Sequence, residues 1–388
     1  MQNNPIARDL AGTPPPLPLA AVRDTPPIRL FISHTAASDR LDPDKPHESN
    51  KTHVMVKSRL HDPPRVIRHH RDWVRSVAVS ADGRTIASAS DDMSVCLWTA
   101  AGACTHSYTI PSHCPILEGK DTGAYQRNAI RSVAISGDGG VVAFGADDTL
   151  VRVRGGMVNA FDLHGHSQRI KSVAVSTDGL LAASASDDKT VRIWDLERGM
   201  CARVLVGHTH YVESVAISSD KSVVVSASAD KTIRTWSVQT GKCTQTITGH
   251  TDWVMSVAIS DDMSFCASAS VDKTVRVWML ATGECVQVLQ GHTGWVRSVA
   301  ISTDGAFIVS ASDDKTVRVW SVAAGECVCV LDGDLHEVFS VAIPSDMSII
   351  ASASPSGVIR VWSTRFIFDA LAAGRAAKRI RMSNEPVE

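Results

Sequence analysis

The sequence is poor in the features that catalytic, secreted or membrane-embedded chains rely on. Its 39 basic and 41 acidic side chains leave a net charge of only −2 over 388 residues. That balance gives no electrostatic reason to expect a nucleic-acid or anionic-membrane partner. No apolar run approaches the ~18 residues that cross a bilayer. Pro14, Pro15, Pro16 and Pro18 interrupt the one stretch that resembles a secretory leader, so a signal peptide is not expected. The nine cysteines are an odd number and none forms a CxxC pair, which argues against a disulfide scaffold or a zinc site and for reduced thiols in a cytosolic or nuclear protein. No phosphate-binding GxxxxGK[ST] segment occurs, and no 3.6-residue apolar period supports a helical solenoid.

What is present is a repeat. Trp194, Trp236, Trp278, Trp320 and Trp362 follow one another at intervals of 42 residues, and His166, His208, His250 and His292 keep the same interval, each preceded by Gly. The unit reads best as GHTGWVRSVAISTDGAFIVSASDDKTVRVW, from Gly291 to Trp320. An earlier copy runs from His70 to Trp98, a worn one carries Ile130 to Arg154, and a last one ends at Trp362, which makes seven. SVAIS and TVRVW have the β-branched, alternating character of strands, and TDG or SDK between them supplies turn chemistry. Four short strands in about 42 residues form one small sheet that buries too little alone, and stacking seven around an axis gives each sheet two apolar neighbours.

The Gly-His pair, the SxSxD turn and the strand ending in Trp resemble the WD40-repeat family from Val66 to Trp362, about three quarters of the chain. One departure is that only Trp194 is followed by Asp. The resemblance implies an all-β, seven-bladed propeller, a closed ring of four-stranded antiparallel blades. It also implies that the recurring His, Ser, Asp and Trp form a buried structural network. The best sets are His292, Ser310, Asp314 and Trp320, and His250, Ser268, Asp272 and Trp278. A hydrolase needs one exposed nucleophile in a cleft, whereas five equivalent sets around a ring point to a framework role. No catalytic, metal or cofactor residue is therefore expected. The second copy has Gln126, Phe144 and Arg154 in place of His, Ser and Trp. Arg154 reads as drift before it reads as a group freed for a partner. The seventh has Asp334 in place of His and Ser356 in place of Asp.

The expected organisation is a Pro-rich, disordered segment over residues 1–62, a propeller over 63–366 with an insertion at 111–128, and an Ala-rich basic tail over 367–388. The seventh copy lacks a fourth strand after Trp362. Pro64 to Arg68 is expected to supply it and latch the ring, with Phe366-Ile367-Phe368 as the rival. Variation between copies concentrates at three positions: a residue before the first strand, one just inside it, and the residue before the turn Asp. By analogy with WD40 proteins these share one face around the axial channel. The expected partner-binding residues there are Trp73, Arg75, Arg131, Lys171, Tyr211, Glu213, Trp253, Met255, Trp295, Arg297 and Phe339, with an aromatic and apolar arc over blades four to seven. The alternative is that these tryptophans pack against neighbouring loops. The function expected is a non-enzymatic scaffold for protein partners within a larger complex, in the cytoplasm. Two alternatives are a nuclear peptide or histone-tail reader, prompted by Lys378, Arg379 and Arg381 in the tail, and a substrate-recruiting subunit of a ubiquitin ligase or signalling complex. The absence of a recognisable helical module before the repeats weakens the ubiquitin-ligase reading.

Overall fold

The structure, a computed structural model, describes residues 56–57, 63–112, 128–155, 160–332 and 336–365; of Val56 and Lys57 only the backbone is described. The chain divides at Thr52 and His53 into two units, and everything described belongs to the second. The expected tail, most of the insertion, and Gln126, Asp334 and Phe366 to Phe368 lie outside the described residues.

Every regular element among the described residues is a strand, in seven sheets. β1 is Val56–Lys57 and β2 is Arg65–Arg68. Blade one is β3 (Val74–Val79), β4 (Thr85–Ser90), β5 (Ser94–Thr99) and β6 (Cys104–Thr109). Blade two is β7 (Ile130–Ile135), β8 (Val142–Ala146), β9 (Val151–Arg154) and β10 (Phe161–Leu163). Blade three is β11 (Ile170–Val175), β12 (Leu181–Ser186), β13 (Thr190–Asp195) and β14 (Met200–Val206). Blade four is β15 (Val212–Ile217), β16 (Val223–Ser228), β17 (Ile233–Ser237) and β18 (Cys243–Ile247). Blade five is β19 (Val254–Ile259), β20 (Phe265–Ser270), β21 (Val275–Met279) and β22 (Cys285–Leu289). Blade six is β23 (Val296–Ile301), β24 (Phe307–Ser312), β25 (Thr316–Ser321) and β26 (Glu326–Asp332). Blade seven takes β27 (Ser340–Ala342), β28 (Ile349–Ala353) and β29 (Val358–Ser363) from the end of the repeat array.

The fourth strand of blade seven comes from the other end of the array. β2 pairs antiparallel with β29, Ile67 opposite Ile359, as the register of Arg65 to Arg68 predicts. Ile67 is buried in the apolar cluster that joins blades seven and one. The chain thus forms a closed seven-bladed β-propeller. β1 was not anticipated: it lies in the stretch expected to lack structure, yet it adds to blade six as a fifth strand, parallel to β26, with Val56 opposite Cys329.

Seven apolar clusters hold the ring, one at each joint between neighbouring blades. At the joint of blades five and six, Trp320 packs on Val275, Val277 and Leu289 of the preceding blade. Each fully buried apolar side chain of this kind contributes about 1.5–3 kcal/mol. A second set of bonds runs round the axis. The N–H of Val133 donates to Ser76 Oγ (3.2 Å), that of Val173 to Ser132 (3.0 Å), and that of Val215 to Ser172 (3.3 Å). Val257, Val299 and Val341 donate in turn to Ser214, Ser256 and Ser298, and Val77 to Ser340 at 3.2 Å closes the cycle.

Candidate interaction face

The His, Ser, Asp and Trp of the sequence motif meet in five blades. In blade six His292 Nδ1 lies 2.7 Å from Asp314 Oδ2 and its Nε2 2.7 Å from Ser310 Oγ, which accepts the Trp320 indole N–H at 2.8 Å. One proton arrangement satisfies all three: neutral His292 donates from Nδ1 to the carboxylate and accepts the Ser310 hydroxyl proton at Nε2. Asp314 also accepts the backbone N–H of Thr293 and of Thr316, so it ties the loop before the first strand to the turn before the third. Burial alone would raise its pKa, but the bonds from His292 and Thr316 outweigh that and hold the carboxyl well below the usual range. Burial keeps His292 below its ordinary value. His250, Ser268, Asp272 and Trp278 repeat the geometry, as do the sets beginning at His70, His166 and His208. Ser310 and Ser268 are wholly buried with their hydroxyls engaged, which is framework geometry and leaves no open nucleophile.

The Gly before each His has its own cause. A Cβ on Gly207 or Gly291 would stand 2.8 and 2.7 Å from the Arg234 and Arg318 guanidiniums and within 3.4 Å of the tryptophan below. In blade one the Arg position holds Cys96, and there His69 takes the Gly place and stacks edge-on to Trp98 at 5.2 Å.

Blade two departs from the other blades. Of the motif it keeps only Asp148, and new partners surround that carboxylate: Asn128 donates to Asp148 at 2.7 Å and accepts its backbone N–H, while Arg152 clamps it through two nitrogens at 3.0 and 2.6 Å. Both members of that ion pair are nearly enclosed. Arg154 is not released for a partner, because it bonds Asp162 at 2.7 Å and the carbonyls of Val153 and Phe161. Sequence counting missed Asn128 because it stands two positions later than the His of other copies. In blade seven Trp362 still donates to Ser352 (3.1 Å), and Ser356 is hydrogen-bonded to Ser354.

The variable residues gather on one face. The backbone N–H before each turn Asp bonds the carbonyl of the residue before the first strand: Asp91 to Trp73, Ala229 to Tyr211, Val271 to Trp253 and Asp313 to Trp295. The position just inside the first strand is a β-bulge in blades one to six. Bulges leave a residue unpaired and re-aim its side chain, and the bulged residues are Arg75, Arg131, Lys171, Glu213, Met255 and Arg297.

The basic members are held by acids sixteen residues on. Arg75 binds Asp91 at 2.7 Å, Arg131 binds Asp147 at 2.8 Å and Arg297 binds Asp313 at 2.5 Å. Lys171 lies 3.6 Å from Asp187 and 3.4 Å from Glu213, so Glu213 is buried in that pair. Burial, with repulsion from Glu213, pushes the Asp187 carboxyl up despite Lys171. Four of the large apolar members are exposed instead, Trp73 45%, Tyr211 40%, Trp253 41% and Trp295 47%, while Met255 and Phe339 are half-buried.

Two groups result. Trp73 and Phe339 sit 5.8 Å apart across the closing joint, with Arg75 over both rings and Arg297 over Phe339 and Trp295. Around them a cleft of about 390 Å³ is also lined by Asp313, His336, Glu337 and Pro355. Pro355 has no N–H to repeat the clamp made in the other blades. The second group is Tyr211 and Trp253, bridged by His210 at 4.4 and 5.7 Å, a histidine that lies outside the three positions compared. The aromatic arc therefore continues past blade seven to Trp73 of blade one.

Six segments, residues 61–99, 158–195, 199–237, 241–279, 283–321 and 325–363, match the family described as WD40: WD domain, G-beta repeat. They make up more than half of the chain. The protein belongs to the WD40-repeat family. The copy with no match in this WD40 protein is the second, whose His, Ser and Trp are replaced. Over 45 residues the chain is 49% identical to the probable E3 ubiquitin ligase complex SCF subunit sconB of Arthroderma benhamiae and to that of Trichophyton verrucosum. Each match covers 11% of this chain and 7% of the relative, so the chain spans a small fraction of those proteins and the likeness is about one repeat long.

Proposed function

We propose that this WD40 protein is a non-enzymatic scaffold that grips protein partners through the face carrying Trp73, Tyr211, Trp253, Trp295 and Phe339. The observation that carries the reading is the contrast between two sets of aromatics. Trp194, Trp236, Trp278, Trp320 and Trp362 are almost fully buried, while Trp73, Tyr211, Trp253 and Trp295 are two-fifths exposed or more around a face whose cations are already paired. Aromatic side chains and Arg dominate binding hot spots, and loops carried on a rigid ring hold them in place. The partners are protein segments, not nucleic acid or membrane, and the scaffold works as a subunit of a larger complex. The sconB match is compatible with a substrate-recruiting role and does not raise it above the general one. The cytoplasm is the proposed location, with the nucleus as the alternative that a fluorescent fusion distinguishes.

Replacing Trp253 and Trp295 together with Ala tests the reading. Affinity purification followed by mass spectrometry should lose the partners that wild type captures, at an unchanged melting temperature. Undiminished capture, or a collapsed fold, would overturn it.

A further inference from the structure

We propose that the outer edge of blade three is a second docking site, where an extended aliphatic strand of a partner protein adds in parallel to β14. It lies apart from the interaction face and needs none of its residues. The precedent is inside the molecule: β26, the outer strand of blade six, already carries an added parallel strand, β1. β14 is the outer strand of its sheet, and among the described residues nothing pairs with its free side. These two outer strands are the longest, seven residues each.

Their surfaces differ as a covered and an open edge should. On β26 Val328 and Val330 are half-buried. On β14 Met200 is 54% exposed, Val204 45% and Val206 74%, while Leu205 between the valines is buried. Val204 and Val206 share one side of the strand by its two-residue period, beyond a bulge at Ala202, just as β1 pairs with Cys329 and Val330 beyond the corresponding bulge of β26. Unpaired strand edges template the addition of another chain unless free charge, proline or a bulge blocks them. Here the one charge on the strand, Arg203, is turned onto the carbonyls of Ala202 and Gln239, so it does not guard the edge. The outer strands of blades one and four carry mainly Thr, Ser, His and Cys at their exposed positions, and that of blade five exposes Val286 and Val288 on a strand of only five residues. In strand addition the backbone supplies the pairing and alternate side chains supply selectivity, which makes the fitting occupant β-branched or unbranched aliphatic at every second residue.

The probe is a fluorescent synthetic peptide of residues 52–59, THVMVKSR, which contains the chain's own added strand. It is titrated against the full chain, whose blade-six edge is filled intramolecularly at high effective concentration. Binding should weaken by about tenfold or more in V204K/V206K, stay unchanged in V328K/V330K, and be absent for the same peptide with Val56→Pro. Hydrogen exchange should slow at the β14 amides on binding. No binding at millimolar peptide, loss only in V328K/V330K, or protection elsewhere would overturn the proposal. A wild-type dimer made monomeric by V204K/V206K would assign the edge to a second copy instead of a partner. Unchanged binding in W253A/W295A keeps this outcome separate from that of the interaction face.

Discussion

Blades two and seven have both lost the repeated His, Ser, Asp and Trp set, and they have replaced it differently. Blade two rebuilt a polar centre from other residues, with Asp148 held by Asn128 and doubly by Arg152. In blade seven the indole bond from Trp362 to Ser352 is what remains of the motif among the described residues, and the sheet relies on a strand borrowed from the far end of the array. A buried carboxylate must be satisfied wherever it remains, so a blade that keeps its Asp needs new partners, and one that replaces it with Ser does not. The cost of a broken blade thus depends on which polar atoms stay behind.

The largest effect should come from removing what blade seven borrowed. Deleting residues 1–69 takes away β2 with buried Ile67, and β1 of blade six with it, and should lower the melting temperature by roughly 10 °C or more, at about 2–4 °C per kcal/mol in a domain of this size. An unchanged transition in a calorimetric scan would mean that the rival segment after Trp362 closes the ring. Next comes blade two: Arg152→Ala leaves Asp148 without its cation and should cost about 3–5 kcal/mol by urea unfolding. Arg318→Ala in blade six, where no acid among the described residues pairs with the guanidinium, should cost clearly less. If the two costs are equal, the rebuilt centre is not what holds blade two.

Smaller effects distinguish the intact centre from the shrunken one. Ser310→Ala orphans His292 and the Trp320 indole and should cost about 1–3 kcal/mol. Ser352→Ala, which strands only the Trp362 indole, should cost about half as much. Acid should act on the same contrast. The depressed carboxyls of Asp92, Asp188, Asp230, Asp272 and Asp314 bind protons less readily folded than unfolded. Their stabilisation is complete above the ordinary carboxylate pKa, about 4, and fades as pH falls below it. The lowered pKa of His292 acts in the same direction, starting as pH drops below about 6.5. Asp314→Asn should therefore flatten the acid limb of a stability profile, whereas Ser356→Ala in blade seven should leave it unchanged. The smallest change is expected for W253A/W295A, within about 0.5 kcal/mol.

Much of this was readable from spacing. A 42-residue period with a Trp at the end of the third strand in six of seven copies specifies the number of blades, and the register of Arg65 to Arg68 specifies the closing strand, because both follow from local pattern. The network was readable for the same reason, since five copies keep each member at a constant offset. Asn128 was not, because a side chain that enters from a shifted position leaves no periodic trace. The role of Arg152 was hidden by the Arg found at its place in the next five copies, where Arg234, Arg276 and Arg318 lie 5.9–6.0 Å from a tryptophan ring. On the interaction face, the comparison of copies found the positions that vary. It could not tell that Glu213 is consumed by Lys171, or that Trp73 and Phe339 meet, because those contacts cross between blades and depend on closure.

The cycle of serine hydroxyls around the axis has a topological consequence. The link from Val77 to Ser340 is the same bond as the six others, so the inner circle carries no mark of where the polypeptide begins and ends. That mark lies only at the periphery, in a sheet stitched from both ends of the array. Circular permutation would move the seam to another blade without altering the hub, and the molecule's beginning is in this sense an accident of the gene, not a property of the ring.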